Sequence, residues 1–356
     1  MWEANYPRDG VPHGNLGVIY VNMGQYDKAL AEHQGALQLA PDNVNNYSNV
    51  GEAYLILNRL DEAKAVFDQA HAHKLDSGIL RYEIYCLAFL RGDAAEMQQQ
   101  LDWAVGKPGD EDSLLSTQSD TEAYYGRMSK AQDFSRRAVD SAVRADSKET
   151  AASWQLNAAL REAEIGDAAR ARQGVAAALA LSQGRDVRVV AALALARTGD
   201  LPRAKALAEE LAKTYPTNTC LKVYWLPTIS AALAVSKGDS SLALVDLEAA
   251  APYELGGAGS FVNCLYRAYV RGQAYLAAHS GTAAAAEFQK LLDHRGIVLN
   301  FVTGSLAHLQ LGRAYAMAGD TTKAKAAYQD FFTLWKDADP DIPILKQAKA
   351  EYAKLK

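Results

Sequence analysis

The clearest pattern in the chain is a helix-ending residue that is followed, at a fixed distance, by a stripe of small and apolar residues. The turn positions hold glycine or asparagine, which most easily adopt the left-handed conformation at the end of a helix. They are Gly24, Asn58, Gly92, Gly126, Gly166, Gly199, Gly238 and Gly319. Five residues after seven of these turns comes alanine, and Met97 is the exception. Mostly apolar or small residues follow four and seven positions later, which predicts one buried helix face.

The stretch before each turn predicts a second kind of helix. Four of these stretches carry a glycine with a tyrosine three residues later. The pairs are Gly17 with Tyr20, Gly51 with Tyr54, Gly272 with Tyr275, and Gly312 with Tyr315. A residue without a side chain lets two helices approach closely, and the tyrosine fills the space beside it. Each period of the pattern is therefore predicted to be one helix–turn–helix unit.

Units of this kind start at residues 10, 44, 78, 112, 152, 185, 224, 265 and 305. In the eighth unit the turn glycine is displaced to Gly281. The predicted fold is all-α, an α-α superhelix of about nine units over residues 10–336. Residues 337–356 are predicted to be a linker and a C-terminal capping helix, with Ile344, Ala348 and Tyr352 on one face. A terminal helix of this kind covers the end of a solenoid.

These positions resemble the 34-residue tetratricopeptide repeat, whose pattern is a spaced Trp, Leu-Gly, Tyr, Ala, Phe, Ala and Pro. The resemblance covers nearly the whole chain and is most specific in units one, two and nine. Pro41 and Pro216 close units, as residues that cannot continue a helix. The resemblance implies a non-catalytic scaffold or sensor that binds a protein or a peptide.

The resemblance also implies which residues line the peptide-binding groove, because fixed positions of each first helix point into it. The polar and aromatic residues at these positions are Asn45, Asn49, Glu52, Tyr82, Glu83, Asp120, Asn157, Trp225, Tyr266, Tyr269, Gln273, Gln310 and Arg313. Amides can bond to an extended peptide backbone, and aromatic rings supply rigid contact area.

Two observations restrict this groove. Leu156, Val189, Leu193 and Leu309 occupy equivalent positions, so a tightly wound superhelix would bury part of the set. Some relatives grip a C-terminal carboxylate with lysine and arginine, but the corresponding positions here hold Gly14, Val18, Asn49, Ile79 and Glu83. Only Asn49 matches, so the tails of chaperones are not a favoured ligand.

Composition and charge narrow the partners further. The 356 residues have a formal net charge of -5 without a basic block, which argues against nucleic acid. Apolar runs stay shorter than a membrane span, so no membrane insertion within this chain is expected. Cys86, Cys220 and Cys264 are far apart and read as core residues rather than a disulfide framework. A cytoplasmic location follows, and the periplasm is the alternative if a parent protein carries a membrane span upstream.

Motifs for catalysis and for cofactors are missing from the sequence. It contains no Walker loop, no Gly-x-Ser-x-Gly and no His-Glu-x-x-His, so we expect no enzyme, no metal and no cofactor. The glycine-rich residues 252–260 lack the Gly-Lys-Ser/Thr of a phosphate loop and predict a flexible loop. Three aspartates in residues 337–341 lack the glycine and glutamate of a calcium loop.

The first nine residues are predicted to be the tail of a truncated preceding repeat. Pro7 occupies the place of a closing proline, and Trp2 and Tyr6 would belong to the last turn of the missing unit. The first complete helix, with Leu16 and Ile19, would then have little cover on its outer side. Exposed apolar surface of this kind is expected to promote end-to-end self-association.

Two longer strings, residues 6–20 and residues 293–298 with 338–346, resemble the C-terminal repeat region of large bacterial, especially acidobacterial, serine/threonine protein kinases. This resemblance implies the regulatory region of a larger signalling protein. The alternatives are a peptide-sensing helical-repeat transcriptional regulator, which would need a DNA-binding domain, and an enzyme with a site inside the superhelix, which would need a convergent acid, base or metal set.

Overall fold

The structure of the chain, a computed structural model, describes residues 9–248, 254–256 and 265–355. Within these ranges the chain forms twenty α-helices and no β-strand, which confirms the all-α class. The helices of the first half are α1 (Gly10–Asn22), α2 (Tyr26–Leu39), α3 (Val44–Ile56), α4 (Leu60–Ala72), α5 (Gly78–Arg91), α6 (Ala94–Ala104), α7 (Asp110–Tyr124), α8 (Met128–Arg144), α9 (Lys148–Ile165) and α10 (Ala168–Leu181). Those of the second half are α11 (Arg185–Arg197), α12 (Leu201–Thr214), α13 (Leu226–Ser236), α14 (Ser240–Glu248), α15 (Tyr266–Ala277), α16 (Gly281–Asp293), α17 (Arg295–Val298), α18 (Val302–Met317), α19 (Thr321–Leu334) and α20 (Pro343–Tyr352).

Eighteen of these helices form nine consecutive pairs, from α1 with α2 to α18 with α19, and each pair packs as a helix–turn–helix unit. The largest difference from the predicted starts is in α9, which begins at Lys148 rather than at residue 152. Its added first turn contains Glu149, a charge that the N-terminal end of a helix favours. A π-helical turn, Leu221–Trp225, leads into α13.

The turn inside each unit has the predicted left-handed backbone. All eight predicted turn residues have positive φ, from 57° at Asn58 to 94° at Gly166. Unit eight differs from the prediction, because its left-handed residue is His279 (φ 55°). Gly281 is instead the first residue of α16, where a Cβ atom would lie 2.6 Å from the Ala314 carbonyl oxygen. That glycine is needed for close helix packing and not for the turn.

The two helices of a unit meet through the predicted stripe. Ala29, Ala63 and Ala324 are fully buried, and the bulky residue one helical turn later covers the glycine of the first helix. In unit nine, a Cβ atom at Gly312 would lie 2.6 Å from the ring of Tyr328. The same contact occurs in units one, two, eight and nine, at Gly17, Gly51, Gly272 and Gly312.

The solenoid winds back onto itself, so that its later units contact its earlier turns. Tyr26 donates to the Leu255 carbonyl oxygen across 229 positions of sequence. Asn58, in the turn of unit two, donates from Nδ2 to the Asp293 carbonyl oxygen at 3.0 Å, 235 positions away. Trp335 Nε1 donates to the Tyr124 carbonyl oxygen at 3.0 Å, 211 positions away. These similar separations show that about one superhelical turn lies between the contacting units.

The final helix, α20, also contacts an earlier unit of the solenoid. Ile344 and Ala348 in α20 are buried and Tyr352 is half-buried, along the face that the sequence indicates. Helix α20 contacts both α19 and α9, and Arg313 forms a bidentate ion pair with Glu351 at 2.9 and 3.1 Å. The capping helix thus touches the fifth unit as well as the ninth.

Several sequence expectations concern residues outside the described ranges. Trp2, Tyr6 and Pro7 of the predicted preceding repeat are among them, as are Cys264 and most of the predicted loop at 252–260. The description begins at Asp9, whose side chain accepts a hydrogen bond from Val11 N at 3.0 Å and caps α1.

Candidate peptide-binding surface

All thirteen residues predicted for the groove lie on the first helices of their units or, for Trp225, on the π-helical turn that leads into one. We call the side of the solenoid that carries them the first-helix surface. Asn45 is exposed, while Asn49, Glu52, Tyr82, Gln273 and Arg313 are half-buried. The remaining seven are buried: Glu83, Asp120, Asn157, Trp225, Tyr266, Tyr269 and Gln310. The winding of the solenoid closes much of this surface, so ligand contact by the buried residues stays a prediction.

Asp120 is held in a buried polar network between α7, α8 and α9. Asn157 Nδ2 donates to both carboxylate oxygens at 3.0 and 2.9 Å, and Arg161 Nη1 donates to the same carboxylate. Arg161 Nη2 donates to Ser119 Oγ at 2.7 Å and Ser135 Oγ at 2.6 Å. Burial raises the pKa of Asp120, and the attraction of Arg161 opposes this rise. The Asp120 carboxylate therefore holds α7 and α9 together, and Arg161 balances its charge.

Glu52 and Glu83 form an acidic pair on the neighbouring helices α3 and α5. Burial raises the pKa of both carboxyl groups, and the charge of Glu52 raises the pKa of Glu83 further. Neither residue forms an ion pair with a lysine or arginine in the described part of the chain. The thiol of Cys86 lies close by, and burial is the main reason that its pKa is raised. This part of the surface favours the protonated form of its acids.

The residues predicted in units seven to nine mainly support packing. The ring of Trp225 lies 4.9 Å from that of Tyr224, edge to face, within the main apolar core. Tyr269 packs on Phe288 at 5.8 Å, and Gln310 Nε2 donates to its hydroxyl at 3.3 Å. Truncating Trp225 would leave a core cavity, so it is not a clean probe of ligand binding.

An open cavity of about 310 Å³ lies on the first-helix surface. We call it the inner cavity. Three predicted groove residues from three consecutive units line it: Tyr82 of α5, Asp120 of α7 and Asn157 of α9. Trp154 adds a wall, and its indole Nε1 donates to Asp112 Oδ2 at 2.7 Å. The lining therefore combines aromatic and hydrogen-bonding side chains from three consecutive units.

Sequence reasoning did not identify most of the residues that line this cavity, among them Ser116, Trp154 and Asn300. Trp154 is on a first helix but lies outside the positions that the repeat pattern assigns to the groove. Asn300 lies between α17 and α18 and reaches the cavity because the solenoid winds back. Its Nδ2 donates to the Thr117 carbonyl oxygen at 2.7 Å, across 183 positions. A repeat pattern contains no signal for such a long-range contact.

The described residues bring together no group of three His, Cys, Asp or Glu side chains that could hold a metal ion. None of the helices in the described ranges has the length and apolar character needed to cross a bilayer. Cys86 is buried and Cys220 is half-buried, and both carry thiols.

Fold and surface together define an all-α repeat solenoid built from stacked helix pairs. Residues 10–76 match the family model described as the tetratricopeptide repeat. This match and the helix-pair architecture support a tetratricopeptide-repeat protein, a class whose members act as protein-interaction scaffolds.

Similar solved structures show the same fold. The human IFIT1 dimer with PPP-AAAA is 16% identical, with a TM-score of 0.51 over 96% of this chain and 80% of that chain. The human IFIT1 dimer with m7Gppp-AAAA is 18% identical, with a TM-score of 0.50 over 97% and 80%. At these identities the likeness concerns the fold alone.

A curated relative covers a shorter part of the chain. Superkiller protein 3 of Schizosaccharomyces pombe is 27% identical over 129 residues. The match covers 36% of this chain and 9% of that protein.

Proposed function

We propose that the chain is a non-catalytic scaffold or sensor that binds an extended peptide segment of a partner protein on its first-helix surface. The observation that carries the proposal is the inner cavity, where Tyr82, Asp120 and Asn157 meet although they come from three different units. The scaffold role of tetratricopeptide-repeat proteins supports it. Half-buried aromatic rings at a concave surface are typical anchors for a bound chain.

The larger context is a proposal of its own: this chain is the regulatory region of a bacterial signalling protein such as a serine/threonine kinase. The resemblance of residues 6–20, 293–298 and 338–346 to the repeat region of such kinases supports it. The cysteine usage favours the cytoplasm as its compartment. In this context the peptide would regulate or recruit the parent protein.

The test of the scaffold role is a peptide-display selection against the immobilised chain, followed by calorimetry of an enriched peptide. We expect binding with one-to-one stoichiometry. Replacing Tyr82 by Ala should weaken binding by more than about tenfold, as loss of an aromatic anchor does. Tyr315→Ala is the matched control, because Tyr315 is also half-buried but lies beside Lys323 and not in the inner cavity.

Two results would argue against this proposal, the first against the scaffold role and the second against the site. One is a selection that enriches no peptide. The other is an enriched peptide that binds Tyr82→Ala and Tyr315→Ala equally well while circular dichroism shows both variants folded. The second result would move the binding site away from the first-helix surface.

A further inference from the structure

The acidic pair, Glu52 and Glu83, occupies the same two repeat positions as Asp120 and Asn157. Glu52 and Asp120 each lie six residues before the turn of their unit, and Glu83 and Asn157 each lie nine residues before theirs. In the later units, Asn157 Nδ2 donates to both oxygens of the Asp120 carboxylate, and both residues line the inner cavity. Because equivalent residues of a repeat have equivalent surroundings, the acidic pair meets on the first-helix surface between α3 and α5.

The later pair has a cation within the fold, and the acidic pair has none. Arg161, five residues before its turn, balances the charge of Asp120. Leu87 holds that position in unit three, where it is buried in an apolar cluster with Phe67. No lysine or arginine in the described ranges forms an ion pair with either carboxylate of the acidic pair. The fold therefore leaves the position of the balancing cation apolar.

A buried hydroxyl without a partner lies beside the acidic pair. Ser48 is 2% exposed, and its Oγ forms no hydrogen bond. It lies one helical turn before Glu52 on the same face of α3. The equivalent position in unit eight holds Tyr269, to whose hydroxyl Gln310 donates at 3.3 Å. Gln310 has the position of Glu83 in unit nine, so Glu83 is placed between Ser48 and Glu52.

The unpartnered hydroxyl is independent evidence that the fold does not complete this site. A buried polar atom without a partner is costly, and native structures rarely retain one without a use. The titratable neighbours of the pair are weak acids. Burial raises the pKa of Tyr26 on α2 and of Cys86 on α5, and the charge of Glu52 raises both further. Neutral acids cannot supply the missing positive charge.

We propose that the acidic pair binds the positively charged side chain of a lysine or arginine in the partner peptide, between the carboxylates of Glu52 and Glu83. This inference rests on the proposed peptide-binding function and adds a basic residue to the chemistry of the ligand. Tyr82 lines the inner cavity and directly precedes Glu83. A peptide in the inner cavity therefore reaches the acidic pair with a neighbouring side chain.

The probe is a positional-scanning library of N-acetylated, C-amidated hexapeptides, in which one position at a time is lysine, arginine, citrulline or norleucine. Acetylation removes the terminal ammonium, and citrulline keeps the shape of arginine without its charge. We expect lysine or arginine at one position to enrich about tenfold or more over citrulline and norleucine, the value of one charge-assisted hydrogen bond. The more enriched of the two identifies the source of the cation.

The variants Glu52→Gln and Glu83→Gln test the two carboxylates separately, because glutamine keeps the size of the side chain and removes its charge. Each should lower the enrichment by about tenfold. Glu62→Gln is the matched control and should leave it unchanged, because Glu62 is exposed on the second helix α4. Circular dichroism checks that each variant is folded, and either glutamine variant suffices if the other fails to fold.

The outcomes separate this inference from the scaffold role. Peptides that are captured without a preference for a positive charge, or with a preference that the folded glutamine variants retain, would overturn the cation site while the scaffold role stands. An equal loss in Glu62→Gln would also overturn it, because the preference would then reflect the net charge of the chain. Capture of no peptide by the parent chain would refute both proposals.

Discussion

The substitution Gly126→Ala tests the contact between successive superhelical turns, because it adds one methyl group at that contact. This glycine has φ +74°, and a Cβ atom there would lie 2.6 Å from Ala338 Cβ and 2.8 Å from Trp335 Cδ2. Both atoms belong to the chain that returns from unit nine. Gly92 and Gly199 have similar φ values, +72° and +77°, and an added Cβ would meet nothing within 4 Å. Alanine at any of the three positions has the same cost of a left-handed backbone. Only at Gly126 does the added methyl group also meet another part of the chain.

The sizes of the two effects can be estimated separately. Alanine in a left-handed conformation costs about 1 to 2 kcal/mol, so Gly92→Ala and Gly199→Ala should each lose about that much. At Gly126 the methyl group also collides with the side chains of Ala338 and Trp335, which typically adds about 1 to 3 kcal/mol. The expected loss for Gly126→Ala is therefore about 2 to 5 kcal/mol.

The assay is urea denaturation of the three variants and the parent chain, followed by circular dichroism and by tryptophan fluorescence. Because Trp335 lies at the contact, its fluorescence should change most in Gly126→Ala. Equal losses at Gly126 and Gly199 would refute the packing of the second turn on the first. A loss near zero at Gly92 or Gly199 would refute the turn assignment.

Three other predictions follow from the structure. Glu83→Gln should stabilise the fold at pH 8 relative to the parent and not at pH 4, in pH-dependent melting, with about 1.4 kcal/mol for each unit by which the pKa is raised. Arg161→Met should destabilise by about 3 to 5 kcal/mol in urea, because it leaves a buried carboxylate unbalanced. Replacing Val18 and Ile19, which are 47% and 52% exposed, by Ser should lower any self-association seen by light scattering.

Each of these has a control. A raised folded pKa gives stability that is present below the unfolded pKa and lost as pH rises, so parent and Glu83→Gln should converge in acid. Glu62, whose pKa is lowered by Arg59, should show the opposite dependence when changed to Gln. Adding Asp120→Asn to Arg161→Met should recover part of the loss. Unchanged association after replacing Val18 and Ile19 would exclude α1 as the contact.

The repeat positions could be predicted from the sequence because they depend on local rules. A left-handed turn favours Gly or Asn, and glycine is needed at Gly51 and Gly312 because a ring of the same unit covers the backbone there. Unit eight shows where the rule fails. His279 takes the left-handed position there, while Gly281 serves a contact with Ala314 in the next unit. The presence of a glycine in the sequence does not show whether it allows a left-handed turn or close packing of two helices.

The candidate site was predictable only in part. Tyr82 and Asn157 were identified because the repeat places them on the first-helix surface. Asn300 and the burial of Tyr269 depend on how many units complete a superhelical turn, which is set by small packing angles summed over hundreds of residues. Local sequence patterns do not predict the sum of these packing angles.

Hydrogen exchange of the chain with and without a display-selected peptide tests the central claim most directly. Binding on the first-helix surface predicts slower exchange in α5, α7 and α9, the helices that line the inner cavity. The second helices α6, α8 and α10 should change much less. Protection confined to those second helices, or no protection at a peptide concentration that saturates binding, would contradict the account.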